Sequence, residues 1–213
     1  MEDTMPLYLM LSRTETCMGR TIRTLTRYGY NHVSLSLDPR FQRWVSFARY
    51  VQGVPLAGGF VSESPERYLS SGGSVLVRIF QIHIPLSRYR KLKALFAQAD
   101  RSDSGLIYNT FGALVTPIGL HFAVAGAYTC LEFADAVLGE SHRSIRSLDK
   151  SLRPHLIYEG PLQELVSDSG SRTSPYFVRR GPWGGVVDTT VHFARLCGRL
   201  FFGHFDPVAA SLR

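Results

Sequence analysis

The chain has 213 residues, of which 45% are hydrophobic and 19% charged. That balance excludes a disordered chain and suits one respectable core with an appendage. Net charge is +7, from 24 Lys+Arg against 17 Asp+Glu. It favours anionic surroundings without selecting among wall polymer, phospholipid surface and nucleic acid.

The three cysteines, Cys17, Cys130 and Cys197, are widely separated. An odd, low count argues against a disulfide framework and against a zinc site of closely spaced thiols, so a reducing, cytoplasmic setting is expected. The acidic start, Met1 to Pro6, lacks the basic region of a secretory signal. Gly105 to Leu131 carries no Asp, Glu, Lys or Arg, but Asn109, Pro117 and His121 make it a poor spanning helix. A buried helix-turn-loop, not a transmembrane segment, is the expectation there.

In chain order, Pro6 to Leu11 reads as a first strand. Met18, Ile22 and Leu25 recur at helical spacing, with Arg20, Arg23 and Arg27 on another face. Asn31 to Leu37 alternates, placing His32, Ser34 and Ser36 on one side and Val33, Leu35 and Leu37 on the other. Asp38-Pro39 ends it in a turn. Arg43 to Arg49 is the expected hairpin partner, with Trp44, Ser46 and Ala48 sharing a face. Val54 to Phe60, rich in Gly and Pro, reads as loop. Val75 to Ile84 is the longest strand signal, stopped by Pro85. Ser87 can cap a helix running to about Ala99, with Tyr89, Leu92 and Phe96 as its apolar stripe. Arg101 to Gly105 reads as a turn, followed by an apolar helix that Pro117 interrupts. A helix beginning at Cys130 ends near Gly139, a residue suited to a C-terminal cap. His155 to Glu159 is a final short strand. Residues 166 to 185 turn to Ser, Gly, Pro and Arg and read as a linker, before a helix from Val187 to Phe202. Mixed elements with hairpin logic between the strands give an α+β class.

Cys130 stands out among the thiols. It opens a helix whose Phe133, Ala134 and Val137 share its side, so the thiol faces the core or a cleft. Amide dipoles at that end favour a thiolate by about 0.3–1 kcal/mol. An imidazolium beside it must supply the rest. Of seven histidines, His32 fits best, because its strand neighbours Ser34 and Ser36 are small and polar and leave room for substrate and for an approaching helix. His83 is second. His121 sits in apolar loop, and His142, His155, His192 and His204 read as peripheral. Cys17 and Cys197 read as small buried hydrophobes.

A strand histidine followed about a hundred residues later by aromatic-x-Cys-x-x-Phe opening a helix resembles the circularly permuted papain-like hydrolases. These are the YiiX-like relatives of the NlpC cell-wall amidases and of lecithin:retinol acyltransferase. The resemblance covers about residues 6 to 160. It rests on Tyr30-Asn31-His32-Val33-Ser34-Leu35-Ser36-Leu37 and Tyr128-Thr129-Cys130-Leu131-Glu132-Phe133, with Val45-Ser46-Phe47 and Ile157-Tyr158-Glu159-Gly160 in support. His32 precedes Cys130, as the permuted order requires.

The resemblance implies a hydrolase domain at 1–164 and a C-terminal extension at 165–213. It implies a small antiparallel sheet packed against the helix that carries the nucleophile Cys130, with His32 as general base. Ser46 takes the position of the residue that orients the imidazole, where relatives often carry Glu, Gln, Asn or His. Glu63 or Asp38 could substitute from a loop. Tyr128 resembles the aromatic near the nucleophile in some relatives, and its phenol could donate to an oxyanion with the Cys130 N–H.

No Gly-x-x-x-x-Gly-Lys-Ser/Thr, Gly-x-Gly-x-x-Gly, His-Glu-x-x-His or Gly-x-Ser-x-Gly string occurs. Dispersed basic residues give no specific nucleic-acid signal. The expectation is a cofactor-free and metal-free thiol hydrolase or acyltransferase acting on a peptide-like or acyl-containing substrate, whose anionic groups the basic surface would tolerate. The alternative is a non-catalytic module of the same fold whose Arg20/Arg23/Arg27 face contacts an anionic partner.

Overall fold

The structure, a computed structural model, describes residues 3–51, 54, 57–69, 74–99, 101, 105–116, 120, 122–166, 182–202, 206 and 208–209. Two strands dominate the centre. β1 (Thr4–Ser12) pairs along its whole length with β5 (Leu76–Pro85), and on its other side with β2 (His32–Ser36), both antiparallel. β3 (Trp44–Arg49) follows β2, as the hairpin logic predicts, and β4 (Gly58–Glu63) follows β3. β8 (Leu156–Pro161) closes one edge against β5. At the other edge stand β6 (Ile107–Tyr108) and β7 (Ala127–Tyr128), which run parallel to each other. The order is β7-β6-β4-β3-β2-β1-β5-β8. The α+β class therefore holds, but the sheet is neither small nor wholly antiparallel: it has eight strands among the described residues and one parallel pair.

Helix α1 (Cys17–Thr26) is capped by Thr16, whose hydroxyl accepts from the Gly19 N–H, and ends at Arg27 in the left-handed region (φ 49°). A one-turn α2 (Pro65–Leu69) follows β4. α3 (Leu86–Phe96) starts one residue after Pro85, and Ser87 lies inside it, so the expected serine cap is not formed. The proline itself fixes the entry. α4 (Thr110–Val115) is held by Asn109, whose side chain accepts from the Gly112 N–H. α5 (Cys130–Leu138), α6 (Ile145–Leu152) and α7 (Pro182–Phe202) complete the set.

Three expectations need correction. Val54 to Phe60 is not loop throughout, because Gly58 and Gly59 begin β4. A Cβ at Gly58 would stand 2.5 Å from the Ala48 carbonyl oxygen, and one at Gly59 would collide with the Tyr50 hydroxyl. These glycines serve close approach inside a sheet, which composition alone reads as a turn. The uncharged stretch after Gly105 contributes two short edge strands as well as α4. α6 fills the segment between α5 and β8 that carried no element in the sequence reading. Pro117, His121, His204 and residues 167–181 of the expected linker lie outside the described residues.

Alternation divides the sheet into two faces. Leu7, Leu9, Leu11, Val33, Leu35, Val45, Phe47, Phe60 and Phe80 form the main core with α3, α5 and α6. Phe133 of α5 is fully buried there, with its ring centroid 5.2 Å from those of both Phe47 and Phe60. Burying one such side chain contributes about 1.5–3 kcal/mol, and the aromatic contacts add to it. The opposite face gathers Tyr8, Met10, Trp44, Tyr68, Val77, Ile79 and Leu162. α7 seats its fully buried Leu196 beside Ile107, Val124 and Ala127, and Val208 joins the main core. Among the described residues no helix is long and apolar enough to cross a membrane.

Candidate active site

Cys130 is the first residue of α5. Thr129 accepts from the Glu132 N–H, Glu132 accepts from the Thr129 N–H at 2.7 Å, and this reciprocal box fixes the helix start. Gly139 ends the helix in the left-handed region at φ 73°, as its position suggests. Phe133, Ala134 and Val137 anchor the helix in the core. The thiol keeps 9% of its surface and lines a cleft of about 460 Å³. His32 lines the same cleft, and its imidazole feels the Cys130 side chain. Thiol and imidazole, about a hundred residues apart in sequence, thus share one cleft.

Behind the imidazole stands Glu63, the last residue of β4, 2% exposed. Its Oε2 is 3.0 Å from His32 Nε2 and accepts from Ser34 Oγ (2.8 Å), Ser46 Oγ (2.7 Å) and the Tyr68 hydroxyl (2.6 Å). Its Oε1 is 3.2 Å from Arg67 Nε, and Arg67 also donates to the Arg49 carbonyl at 2.7 Å. A carboxylate only accepts, so Nε2 carries the hydrogen and Nδ1 is the nitrogen left for the thiol. Burial opposes charging His32, but the Glu63 carboxylate and then Cys130 override it and raise the imidazole to about 10. Burial likewise opposes ionising Glu63, yet His32 and Arg67 hold its carboxyl well below the usual range.

Ser46 therefore does not take the place against the imidazole. Glu63 does, from a strand and not from a loop, and Ser46 stands one step behind it as a donor to the carboxylate. Alternation explains the arrangement: Ser34, Ser46 and Glu63 point away from the face that α5 covers, and Tyr68 of α2 closes over them. The expectation that α5 approaches beside Ser34 and Ser36 is corrected accordingly. α5 packs on the Val33/Leu35 face, Ser36 donates to the Arg43 carbonyl, and His32, at the first position of β2, is where the two faces communicate. Asp38 is spent on its own turn, accepting from the Arg40 and Gln42 N–H groups.

Tyr128 points elsewhere. Its hydroxyl donates to Asp206 at 2.6 Å and its ring packs on Phe47, so it ties the C-terminal segment to the core. Tyr108, its register partner on β6, lines the cleft and senses the Cys130 charge. The Tyr108 phenol makes no hydrogen bond with a described residue. Burial, with the Cys130 charge adding, pushes it well above the ordinary tyrosine range and keeps it a donor. Nothing in its local sequence marks it, because its place depends on the parallel β6–β7 pairing. The Cys130 N–H is likewise unpaired among the described residues, as expected for the first turn of a helix.

Among the described residues, the other histidines, His83, His142, His155 and His192, do not line the cleft. His83 is exposed on β5. His192 is buried, with Nε2 3.1 Å from both the Tyr108 carbonyl and Thr110 Oγ1, so it anchors α7 and is not peripheral. His142 makes a line reminiscent of a serine triad, with Nδ1 2.6 Å from Asp135 and Nε2 2.9 Å from Ser151 Oγ. That serine also donates to the Leu148 carbonyl and does not line the Cys130 cleft, while Asp135 accepts from the His142 N–H. The group latches the α5–α6 turn. Cys197 is free and partly buried, and the Cys17 side chain lies outside the described residues.

The basic stripe of α1 is broken. Arg23 turns inward to Glu15 (2.9 Å) and Asn31 (3.1 Å), leaving Arg20 and Arg27 exposed. No group of residues that could hold a metal ion occurs among those described. No protein-family model matches the chain, and searches of curated proteins and of solved structures find no match.

Proposed function

We propose that this protein is a thiol hydrolase or acyltransferase of permuted papain-like architecture, working through an acyl-enzyme on Cys130. The observation that carries the reading is the line from Cys130 to His32 to buried Glu63 at the wall of a solvent-accessible cleft. A thiol at a helix start, an imidazole within reach and a carboxylate orienting that imidazole are the parts a covalent acyl mechanism needs.

In this mechanism the Cys130 proton passes to His32 Nδ1, and Sγ attacks the carbonyl carbon of an amide, ester or thioester. The C=O π pair moves onto oxygen, where the Cys130 N–H and the Tyr108 hydroxyl meet the developing charge. The tetrahedral species collapses, the bond to the leaving group breaks, and His32 returns its proton to that group. Water, or another acceptor, then gives a proton to His32 and attacks the thioester, releasing acid or transferred product and restoring the thiol. Glu63 keeps its charge throughout and fixes the ring.

The reading rests on chemistry at one sulfur, so it is tested there. Intact-mass measurement after exposure to a library of activated acyl donors should find one acyl group, mapped to Cys130, and none in Cys130→Ala or His32→Ala. Acylation distributed over Cys17 and Cys197, or unaffected by His32→Ala, refutes it. For the partner-binding alternative, Arg23 is already paired with Glu15, which leaves Arg20 and Arg27 of the α1 stripe exposed.

A further inference from the structure

The cleft that holds Cys130 is unbalanced in charge. Its acidic lining residues are Glu15 and Glu63. Glu15 is neutralised by Arg13 (3.2 Å) and Arg23 (2.9 Å). Glu63 is neutralised by His32 and Arg67. On the α6 side, Arg143 and Arg146 also line the cleft. Both are exposed, and neither makes a hydrogen bond or ion pair with a described residue. Ile22 and Leu25 of α1 and Tyr30 line the same cleft. Leu25 is 57% exposed there.

We infer that Arg143 and Arg146 form an anion subsite beside the thiol, selecting acyl donors that carry a carboxylate next to an apolar stem. The inference rests on the nucleophile reading above and adds the substrate class to it. Guanidinium groups suit a carboxylate because their donors match its two oxygens. An arginine pair committed to a structural role would have acidic partners within the fold, as Arg78 does with Asp149 and Glu159. Arg143 and Arg146 have none among the described residues. Their charge remains available to whatever enters the cleft, and Ile22 and Leu25 in the same lining can take an apolar stem.

The test compares two alkylating agents of nearly equal size, anionic iodoacetate and neutral iodoacetamide, on the full chain at pH 7 and low salt. Cys197 in the same molecules serves as internal reference. The ratio of iodoacetate to iodoacetamide rates at Cys130 should fall about tenfold in Arg143→Gln/Arg146→Gln, the scale of electrostatic focusing in a lined cleft. It should fall similarly in wild type at high salt. The iodoacetamide rate reports any change in the thiol itself, and dividing by it leaves the effect of probe charge alone. A ratio indifferent to the double substitution overturns the subsite and leaves the nucleophile standing. A Cys130 that iodoacetamide labels no faster than Cys197, with or without His32, overturns the nucleophile and the subsite with it. Circular dichroism on the double variant separates either result from misfolding.

Discussion

Glu63→Gln tests the reasoning at its most exposed joint, because it removes a charge and keeps the side chain's shape. In the native protein, burial disfavours the imidazolium and Glu63 overrides it, with His32 raised to about 10. Without the carboxylate the burial remains and only the Cys130 interaction opposes it, so the imidazole falls. The thiol then loses the cation beside it at neutral pH. The thiol's proton is then harder to move, and the expected loss is about tenfold, a fraction of the about 100- to 10,000-fold that positioned acid–base groups contribute. The assay is the pH–rate profile of Cys130 alkylation by iodoacetamide. Wild type should hold an elevated rate from below pH 7, and the two profiles should converge near pH 10, where His32 gives up its proton. His32→Ala should give the same fall. An unchanged profile in Glu63→Gln between pH 6 and 9 refutes the proposed coupling. Breaking a buried ion pair costs about 3–5 kcal/mol, so the variant is read beside Tyr68→Phe, which removes one charge-assisted hydrogen bond worth about 1.5–3 kcal/mol and keeps the carboxylate.

The two tyrosines should separate cleanly. Tyr108→Phe should lower turnover of an activated acyl donor by about a hundredfold while leaving alkylation intact, as loss of an oxyanion donor does. Tyr128→Phe should leave turnover within about twofold and lower stability by about 1 kcal/mol through the Asp206 contact, read by urea unfolding. Stability should vary with pH in a defined window. The raised His32 contributes fully below about 6.5 and loses its contribution as pH climbs to about 10; the depressed Glu63 contributes fully above about 4.5 and loses its contribution as pH drops. The melting temperature should therefore peak between about pH 4.5 and 6.5, and His32→Ala should flatten the alkaline limb. Phe133→Ala should cost about 3–5 kcal/mol in unfolding free energy, since the ring is fully buried among Phe47, Phe60 and Phe96.

Local signals proved legible wherever a residue's role is local. The helical spacing of Cys130, Phe133, Ala134 and Val137, with Gly139 after it, announces α5, while the Thr129–Glu132 box that closes its start is a finding of the structure. Alternation announces β2 because its apolar residues share one face and its polar ones the other, although both faces are buried. Glu63 is a different case. It ends a strand whose first two residues are glycines, and the reason those are glycines, Ala48 and Tyr50 across the sheet, exists only after pairing. Tyr108 is harder still, since a two-residue strand has no period to read. The role of α7 was hidden for the same reason: the buried positions Leu196 and His192 depend on β6 and β7 being where they are. Arg23 looked like a solvent-facing residue by helical spacing, but Glu15 and Asn31, from outside the helix, draw it inward.

The sheet itself separates the two halves of the proposed chemistry. The carboxylate and its donors Ser34, Ser46 and Tyr68 occupy one face, while α5 and the thiol are seated on the other. His32 lies at the end of β2, where a side chain from one face can reach the end of a helix on the other. Changes on the α2 side, such as Tyr68→Phe, reach the sulfur through the charge on the imidazole and should shift the pH profile. Changes on the α5 side, such as Thr129→Ala, move the sulfur without touching the carboxylate and should scale the rate at every pH alike. A side chain that must serve both faces has to sit at a strand terminus, because within a strand the backbone stands between them. Glu63, at the far end of β4 opposite Trp44, reaches the imidazole across Ser34 and Ser46 of the two strands between them, all on the face away from α5.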